Sequence, residues 1–377
     1  MSDPNQWQAP GGEHPVAPGP ALPPHPGSMP PPQYGYAPPP PPGLIPLRPL
    51  TLGTILGATF RVFRRNPGPT VGLSLGLNAI WALLFVLIAA GFAAFAISRV
   101  SLAAPSEQGD IIAGTVLAGG LTLLIPVAAS IAISGVLQGI VALEVSRATI
   151  GEKLRARGLF RLARGRIGAL VGWALLVTLA WIVALAVVAG AVTLLIIFGG
   201  QVGLIVGIIL AVLAGLGLAA LAVWIGTKVS LVPSVLLIEH VPLRSAIARS
   251  WSLTNRSFFK TLGIQLLVSV IVGTASQIIS IPISVISGIV SAIVAPTGDP
   301  TTVLVVAAIS ELVAGVVGIV IQSVTTVMIS STAALIYLDL RMRKEGLDLE
   351  LMRFVEARQS GDASVTDPYR VVPAAAR

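Results

Sequence analysis

The chain contains no cysteine, which excludes disulfides, thiolate metal sites and a thiol nucleophile. Charge is scarce as well: Asp, Glu, Lys and Arg make up 11% of the 377 residues, against about 25% in an ordinary soluble domain. Of the three histidines, His14 and His25 lie in a proline-rich segment and His240 stands alone at the end of an apolar stretch. No HExxH, GxSxG, Walker or dinucleotide-binding pattern appears in a context that would support it. The apolar stretches lack the paired acids of acid–base catalysis. They also lack the clustered His and carboxylate ligands of a metal-dependent phosphodiesterase. These absences predict a chain that is not an enzyme, with no cofactor, no metal site and no nucleic-acid partner.

Apolar residues, in contrast, reach 54%. They gather in six stretches, 71–97, 111–143, 167–198, 204–238, 262–294 and 303–338. Each exceeds the roughly 20 helical residues that cross a hydrocarbon core of about 30 Å. Before the first, between the second and third, between the fourth and fifth, and after the sixth lie 4, 7, 5 and 7 basic residues, Lys228 near the end of the fourth stretch being counted with the third group. On the other side only Arg99 is basic, near Glu107 and Asp110, and Asp299 stands in another connection. Basic residues stay cytoplasmic during insertion. The pattern therefore predicts an all-α integral membrane bundle of six transmembrane helices in three hairpins, in a bacterial inner membrane with both termini cytoplasmic.

Residues 1–44 are different material. They carry sixteen of the 29 prolines, with Trp7, Tyr34 and Tyr36, and lack the basic start and apolar centre of a signal peptide. Proline has no amide donor and fixes φ, so a disordered cytoplasmic tail of polyproline II character is expected. Prolines 30–32 and 38–42 form either a docking site for a protein partner with an aromatic-lined groove or a solvated spacer. The membrane domain then covers 45–351, and 352–377 is read as a C-terminal cytoplasmic tail.

The membrane domain reads as three hairpin repeats, about 45–144, 145–239 and 240–339. Each opens with an amphipathic stretch carrying arginines. Leu52, Ile55, Leu56, Phe60 and Phe63 share a face beside Arg61, Arg64 and Arg65. Leu154, Leu159 and Leu162 lie among Arg155, Arg157, Arg161, Arg164 and Arg166, and Leu243, Ile247 and Trp251 among Arg244, Arg249 and Arg256. Such helices lie in the membrane interface with arginines among anionic lipid phosphates. Each repeat closes with an acid, Glu144, Glu239 or Asp339, a spacing expected of a triplicated unit. A carboxylate in the last turn of a helix opposes the helix dipole, at a cost of about 0.3–1 kcal/mol. Arg147, Arg244, Arg341 and Arg343 follow these acids, so the expectation is a cytoplasmic collar of ion pairs.

Within the spans Glu311 is the sharpest feature, because intramembrane acids are costly and mark transport pathways. It lies at mid-depth if the sixth span begins at Val303 and at the outer surface if the core ends at Tyr337. Lys228 snorkels to the cytoplasmic side. Asn78, Gln138, Gln265, Gln277 and Gln322 are read as interhelical hydrogen bonds, and Gly72/Gly76, Gly135/Gly139, Gly168/Gly172 and Gly199/Gly203/Gly207 as close-packing points. Pro126, Pro233 and Pro282 predict kinks.

Three segments carry a resemblance. The first is Ile45-Pro46-Leu47-Arg48-Pro49-Leu50-Thr51-Leu52-Gly53, running on to Phe60 and Arg64-Arg65-Asn66-Pro67. The second is Val232-Pro233, then Glu239, then Ala248-Arg249-Ser250-Trp251-Ser252-Leu253. The third is Tyr337-Leu338-Asp339-Leu340-Arg341-Met342-Arg343-Lys344-Glu345-Gly346-Leu347-Asp348-Leu349. Over residues 44–351 the chain resembles the proline-tailed actinobacterial membrane proteins grouped with the glycerophosphoryl diester phosphodiesterase membrane domain. Where that family has acids near its start, this chain has Thr54 and Gly57. The resemblance implies a membrane domain without the soluble catalytic domain that names the family, and no defined molecular function. Three readings stand: a non-catalytic component that organises or binds other envelope parts, a transporter or lipid-handling protein using Glu311, and a membrane module accompanying a separate phosphodiesterase.

Overall fold

Inside a membrane a segment must satisfy its own backbone N–H and C=O groups, and a single apolar stretch does so only as a helix. The structure, a computed structural model, describes residues 43–369 apart from 103, 105–106, 295–299 and 363–365. The expected proline-rich tail lies outside the described residues. All regular structure among those described is helical: α1 (Leu52–Arg65), a π-turn (Gly68–Gly72), α2 (Leu73–Ser101), α3 (Gln108–Thr149), α4 (Ala156–Ala163), α5 (Ile167–Val229), α6 (Val232–Ile238), α7 (Leu243–Thr254), α8 (Phe258–Val294), α9 (Pro300–Glu345) and α10 (Leu347–Gln359).

Five helical runs are long and apolar enough to cross a membrane: Gly68–Ser101, Gln108–Thr149, Ile167–Ile238, Phe258–Val290 and Val305–Glu345. The third and fourth expected spans share one of them. Within it Gly200 takes φ 57° and ψ −138°, outside helical geometry. A Cβ on Gly203 would sit 2.0 Å from the carbonyl oxygen of Leu195, and one on Gly207 3.6 Å from that of Val192. Residues so far apart in sequence meet only where the chain turns back, so the two arms of α5 lie side by side around Gly200. A second break, at Ser230–Leu231, separates α5 from α6. Proline has no N–H and clashes with the preceding turn, so Pro233 fits as one of the first residues of α6. Pro126 and Pro282, in contrast, lie inside continuous helices.

The helix α2 packs on α3 and α9, α8 on α9, α5 on α3, and α3 against α9. Burial is concentrated at one end. The largest fully buried side chains include Leu143, Leu236, Leu237 and Tyr337, next to Glu144, Glu239 and Asp339. Farther along, Leu87, Leu179, Leu213 and Ile278 point outward, an apolar surface of the kind that faces lipid or a partner. Glycine contributes where helices touch at the buried end. A Cβ on Gly139 would meet Leu237 Cδ1 at 2.5 Å and Leu170 Cδ1 at 2.7 Å, and one on Gly135 would meet Ala174 Cβ at 3.1 Å. Gly76, Gly168 and Gly172 face open space and Gly72 is nearly as open, so those two expected close-packing pairs are not contacts.

The amphipathic segments form α1, α4 and α7, with their faces divided differently from the expectation. In α1 the residues Ile55, Ala58, Thr59 and Val62 are buried, with Thr59 Oγ1 3.3 Å from Thr332 Oγ1 of α9. Leu52 and Phe60 remain exposed beside them. The helix therefore presents a protein face, an outward apolar stripe and an arginine face. In α7 the buried residues are Ala246, Ser250, Leu253 and Thr254. Trp251 stacks edge-on against Trp224 at 5.4 Å and lies under the Lys228 ammonium at 5.2 Å.

In the segment read as a C-terminal tail, the described residues 352–362 and 366–369 include side chains packed against the helices. Gly346, at φ 68°, turns α9 into α10, which buries Leu347, Leu351 and Phe354. Beyond it Tyr369 is fully enclosed, and its hydroxyl donates to the Ser146 carbonyl at 2.8 Å. Burial pushes the phenol pKa upward, so the hydroxyl stays a donor. Tyr369→Phe is expected to lower stability by about 1 kcal/mol, the net value of one hydrogen bond, in denaturant unfolding in mixed micelles.

Candidate functional site

The buried charged side chains among the described residues, Glu144, Lys228, Glu239, Asp339 and Arg341, gather at the buried end, where the three segments singled out in the sequence meet. Glu239 is the C-cap of α6, and its carboxylate accepts from the Tyr337 hydroxyl of α9 at 2.7 Å. It pairs with Arg249 of α7 and lies 3.9 Å from Arg341 of α9. Glu345, one turn beyond Arg341, pairs with Arg341 at 2.9 Å and Arg249 at 2.7 Å. Two arginines and two glutamates thus form a closed ring, with Tyr337 linking Glu239 to Arg341. Burial works against the Arg249 charge, yet Glu239 and Glu345 outweigh it and raise its pKa.

Asp339 forms the neighbouring centre. It accepts from the Leu50 N–H at 2.8 Å, from Lys260 of α8 at 2.5 Å and from Arg343 at 2.9 Å. Arg343 also donates to the Leu50 carbonyl at 2.8 Å. The opening segment is thereby tied to the exit of α9. Glu144 has a different neighbourhood: Asn66 Nδ2 donates to it at 2.9 Å and to the Leu154 carbonyl at 3.0 Å.

This arrangement corrects the expected collar in its members. Arg341 and Arg343 reach Glu239 and Asp339. Arg147 does not pair with Glu144; it binds Asp367 at 2.5 Å and lies 3.8 Å from Glu152. Arg244 is exposed and has no ion pair among the described residues, because five residues along α7 leave it about 140° round the helix from Arg249, the residue that meets Glu239. The acids also lie at different helical positions from those expected. The helices α3 and α9 continue to Thr149 and Glu345, so Glu144 and Asp339 sit more than a turn inside, and only Glu239 faces a helix end. Lys260, Tyr337, Glu345 and Asn66 were not singled out as site residues; nothing in their spacing marked them.

Two arginines of the amphipathic segments bind backbone. Arg65 donates to the carbonyls of Ala148 at 2.8 Å and Gly151 at 3.2 Å, where α3 ends. Arg166 holds the turn after α6, donating to Val241 at 2.6 Å and to His240, whose φ is 57°. On the outer faces Arg61 and Arg64 of α1, Lys153 and Arg155 before α4, and Arg157, Arg161 and Arg164 are exposed. None forms an ion pair among the described residues.

Glu311 is exposed and lines a cleft of about 430 Å³ between α8 and α9, with Ser280, Ser284 and Ser287. It precedes Asp339 by 28 residues, roughly 42 Å along a helix that rises 1.5 Å per residue. Of the amides expected to bond between helices, Asn78 donates to Ser323 of α9 at 3.3 Å and Gln265 to Ser230 at 2.8 Å. Gln322 reaches only Thr326 of its own helix. Gln138 and Gln277 make no hydrogen bond among the described residues. Among those residues, too, no three His, Asp or Glu side chains come together in a metal-binding group. Comparison with protein families, curated proteins and solved structures gives no match.

Proposed function

We propose that this chain is a non-catalytic, multi-pass protein of a bacterial inner membrane that crosses the bilayer six times, seats a basic rim on the anionic cytoplasmic leaflet and serves there as an organising or partner-binding component. The observation that carries the reading is the division of labour among its charges. The acids Glu239 and Asp339 are committed to internal ion pairs, whereas the cations on the outer faces of α1 and α4 have no internal partner among the described residues. The reversal at Gly200 supports counting α5 as two spans, in agreement with the alternation of basic segments.

In this reading the exposed stripe of Leu52 and Phe60 lies against lipid, and Arg61, Arg64, Arg157 and Arg161 reach the phosphates. Each basic residue near an anionic surface contributes about 1 kcal/mol. Phosphatidylglycerol is therefore expected to stabilise the wild-type protein in nanodiscs, and Arg157→Gln/Arg161→Gln is expected to lose about 2 kcal/mol of that gain. Equal stabilisation of wild type and variant would remove the basic rim as a lipid seat.

The distance from Asp339 supports placing Glu311 at the outer mouth of the α8–α9 pair, beyond a core of about 30 Å. That position argues against a transport mechanism centred on Glu311. The proposed kinship with the phosphodiesterase-associated membrane domains rests on the residues of the opening, middle and exit segments alone, and it is a relation without the hydrolase chemistry.

A further inference from the structure

Beside the ion-pair ring, toward the spans, lies an uncharged cleft. Its main compartment, about 410 Å³, is bounded by α3, the first arm of α5, the Ser230–Pro233 break and α9. A side compartment of about 170 Å³ reaches Gln265 of α8 and shares Gln138, Ser230 and Ile329 with the first. The main volume falls in the usual range of about 300–1,000 Å³ for small-molecule sites.

The depth of the cleft is set by its residues. Gln138 lies six residues before Glu144 and Gln322 seventeen before Asp339, about 9 and 25 Å along their helices. On the six-span reading, on which this inference rests, the cleft occupies the cytoplasmic and central part of the hydrocarbon core. A polar group there is costly unless it has a partner. Yet Gln138 has none among the described residues, and Gln265 uses only one amide hydrogen, toward Ser230. The hydroxyls of Ser134 and Thr178 donate to their own helices at 2.8 and 3.0 Å, leaving their oxygens to accept.

The lining contains amides, hydroxyls and apolar walls such as Trp173 and Val177, and no ionisable side chain. It offers nothing to balance a phosphate, a carboxylate or a metal ion. We infer that the cleft binds an uncharged hydroxyl- or ester-bearing group of the glycerol type, with Gln138 and Gln265 as its hydrogen-bonding residues. Such a group comes either from a neutral glyceride entering from the membrane or from a free polyol.

The test uses full-length protein in phosphatidylcholine nanodiscs containing a photoactivatable diacylglycerol, with adducts mapped by mass spectrometry. Adducts are expected on the α3, α5 and α9 peptides that line the cleft. Gln138→Leu/Gln265→Leu should reduce them about tenfold, a hydrogen bond's net value at its upper end. Ile329→Trp, which fills the shared wall while keeping both glutamines in the chain, should reduce them as well. Loss of adducts on adding glycerol would support the cleft with a free polyol as its source, and persistence would support it with a membrane lipid. Adducts as frequent on α2, which lines neither compartment, as on the lining peptides, or unchanged in both variants, would overturn the inference. If they do so while phosphatidylglycerol still stabilises the wild type over Arg157→Gln/Arg161→Gln, the cleft alone fails. If that stabilisation is absent too, the membrane-seat reading fails with it.

Discussion

Glu239→Gln is expected to destabilise the protein by about 3–5 kcal/mol, the usual consequence of removing one partner from a buried ion pair. Glutamine keeps the shape and still accepts from Tyr337, so the loss reports charge and not packing. In the wild type Arg249 and Arg341 each touch both Glu239 and Glu345, giving a ring without net charge. Without Glu239, two guanidiniums share one carboxylate, and Arg341 is almost fully enclosed, at 5% exposure. Removing one of the surplus charges should recover part of the loss. Glu239→Gln/Arg249→Gln is therefore expected to fall short of the sum of the single changes by about 1–3 kcal/mol, the coupling usual within one network. Arg244→Gln, on the exposed face of the same helix, should change stability by no more than about 0.5 kcal/mol. Equilibrium unfolding in mixed micelles gives all four values. A loss at Arg244 equal to that at Arg249 would refute the ring.

The ring also shows where sequence patterns stop being informative. Long apolar stretches and the alternation of arginine-rich segments are one-dimensional signals, because span length and charge sidedness are set along the chain. The helices follow from them directly. So does the gathering of Glu239, Asp339, Arg341 and Arg343 at one end, since each terminates an apolar stretch. Which cation meets which acid depends on helix rotation and on neighbours distant in sequence. Arg249 lies 96 residues from Glu345, and Leu50 is 289 residues from Asp339. Local order suggested Arg147 for Glu144, but α3 continues past the acid and turns Arg147 toward Asp367. Tyr369 was illegible for the same reason: a lone tyrosine after a polar segment has no periodicity to mark it as core. The cleft was equally hidden, because Gln138, Ser230 and Gln265 become neighbours only through the break before α6.

Gly203→Val is expected to cost about 3 kcal/mol, near the upper end of the usual overpacking range, and to disturb the course of the chain as well as its stability. The first side-chain carbon would stand 2.0 Å from the Leu195 carbonyl oxygen. Backbone is the obstacle there, so a rotamer change offers no relief and the two arms of α5 must separate. Gly200→Ala should act at the same turn through strain, at about 1–3 kcal/mol, since φ 57° with ψ −138° is ground that glycine alone occupies readily. A straightened α5 of 63 residues would measure about 95 Å, three times the core thickness, and no bilayer holds it upright. The tight turn is thus the condition for two crossings in this segment. Because the chain lacks cysteine, a single Gln201→Cys reports the turn directly. An impermeant maleimide added outside intact cells should label it, while Arg155→Cys should react only after permeabilisation. In the Gly203→Val background the labelled fraction at 201 should fall as chains with unpaired arms fail to insert. Labelling of 201 only after permeabilisation in the otherwise unaltered chain would return α5 to a single excursion and leave five crossings, with the two ends of the protein on opposite sides.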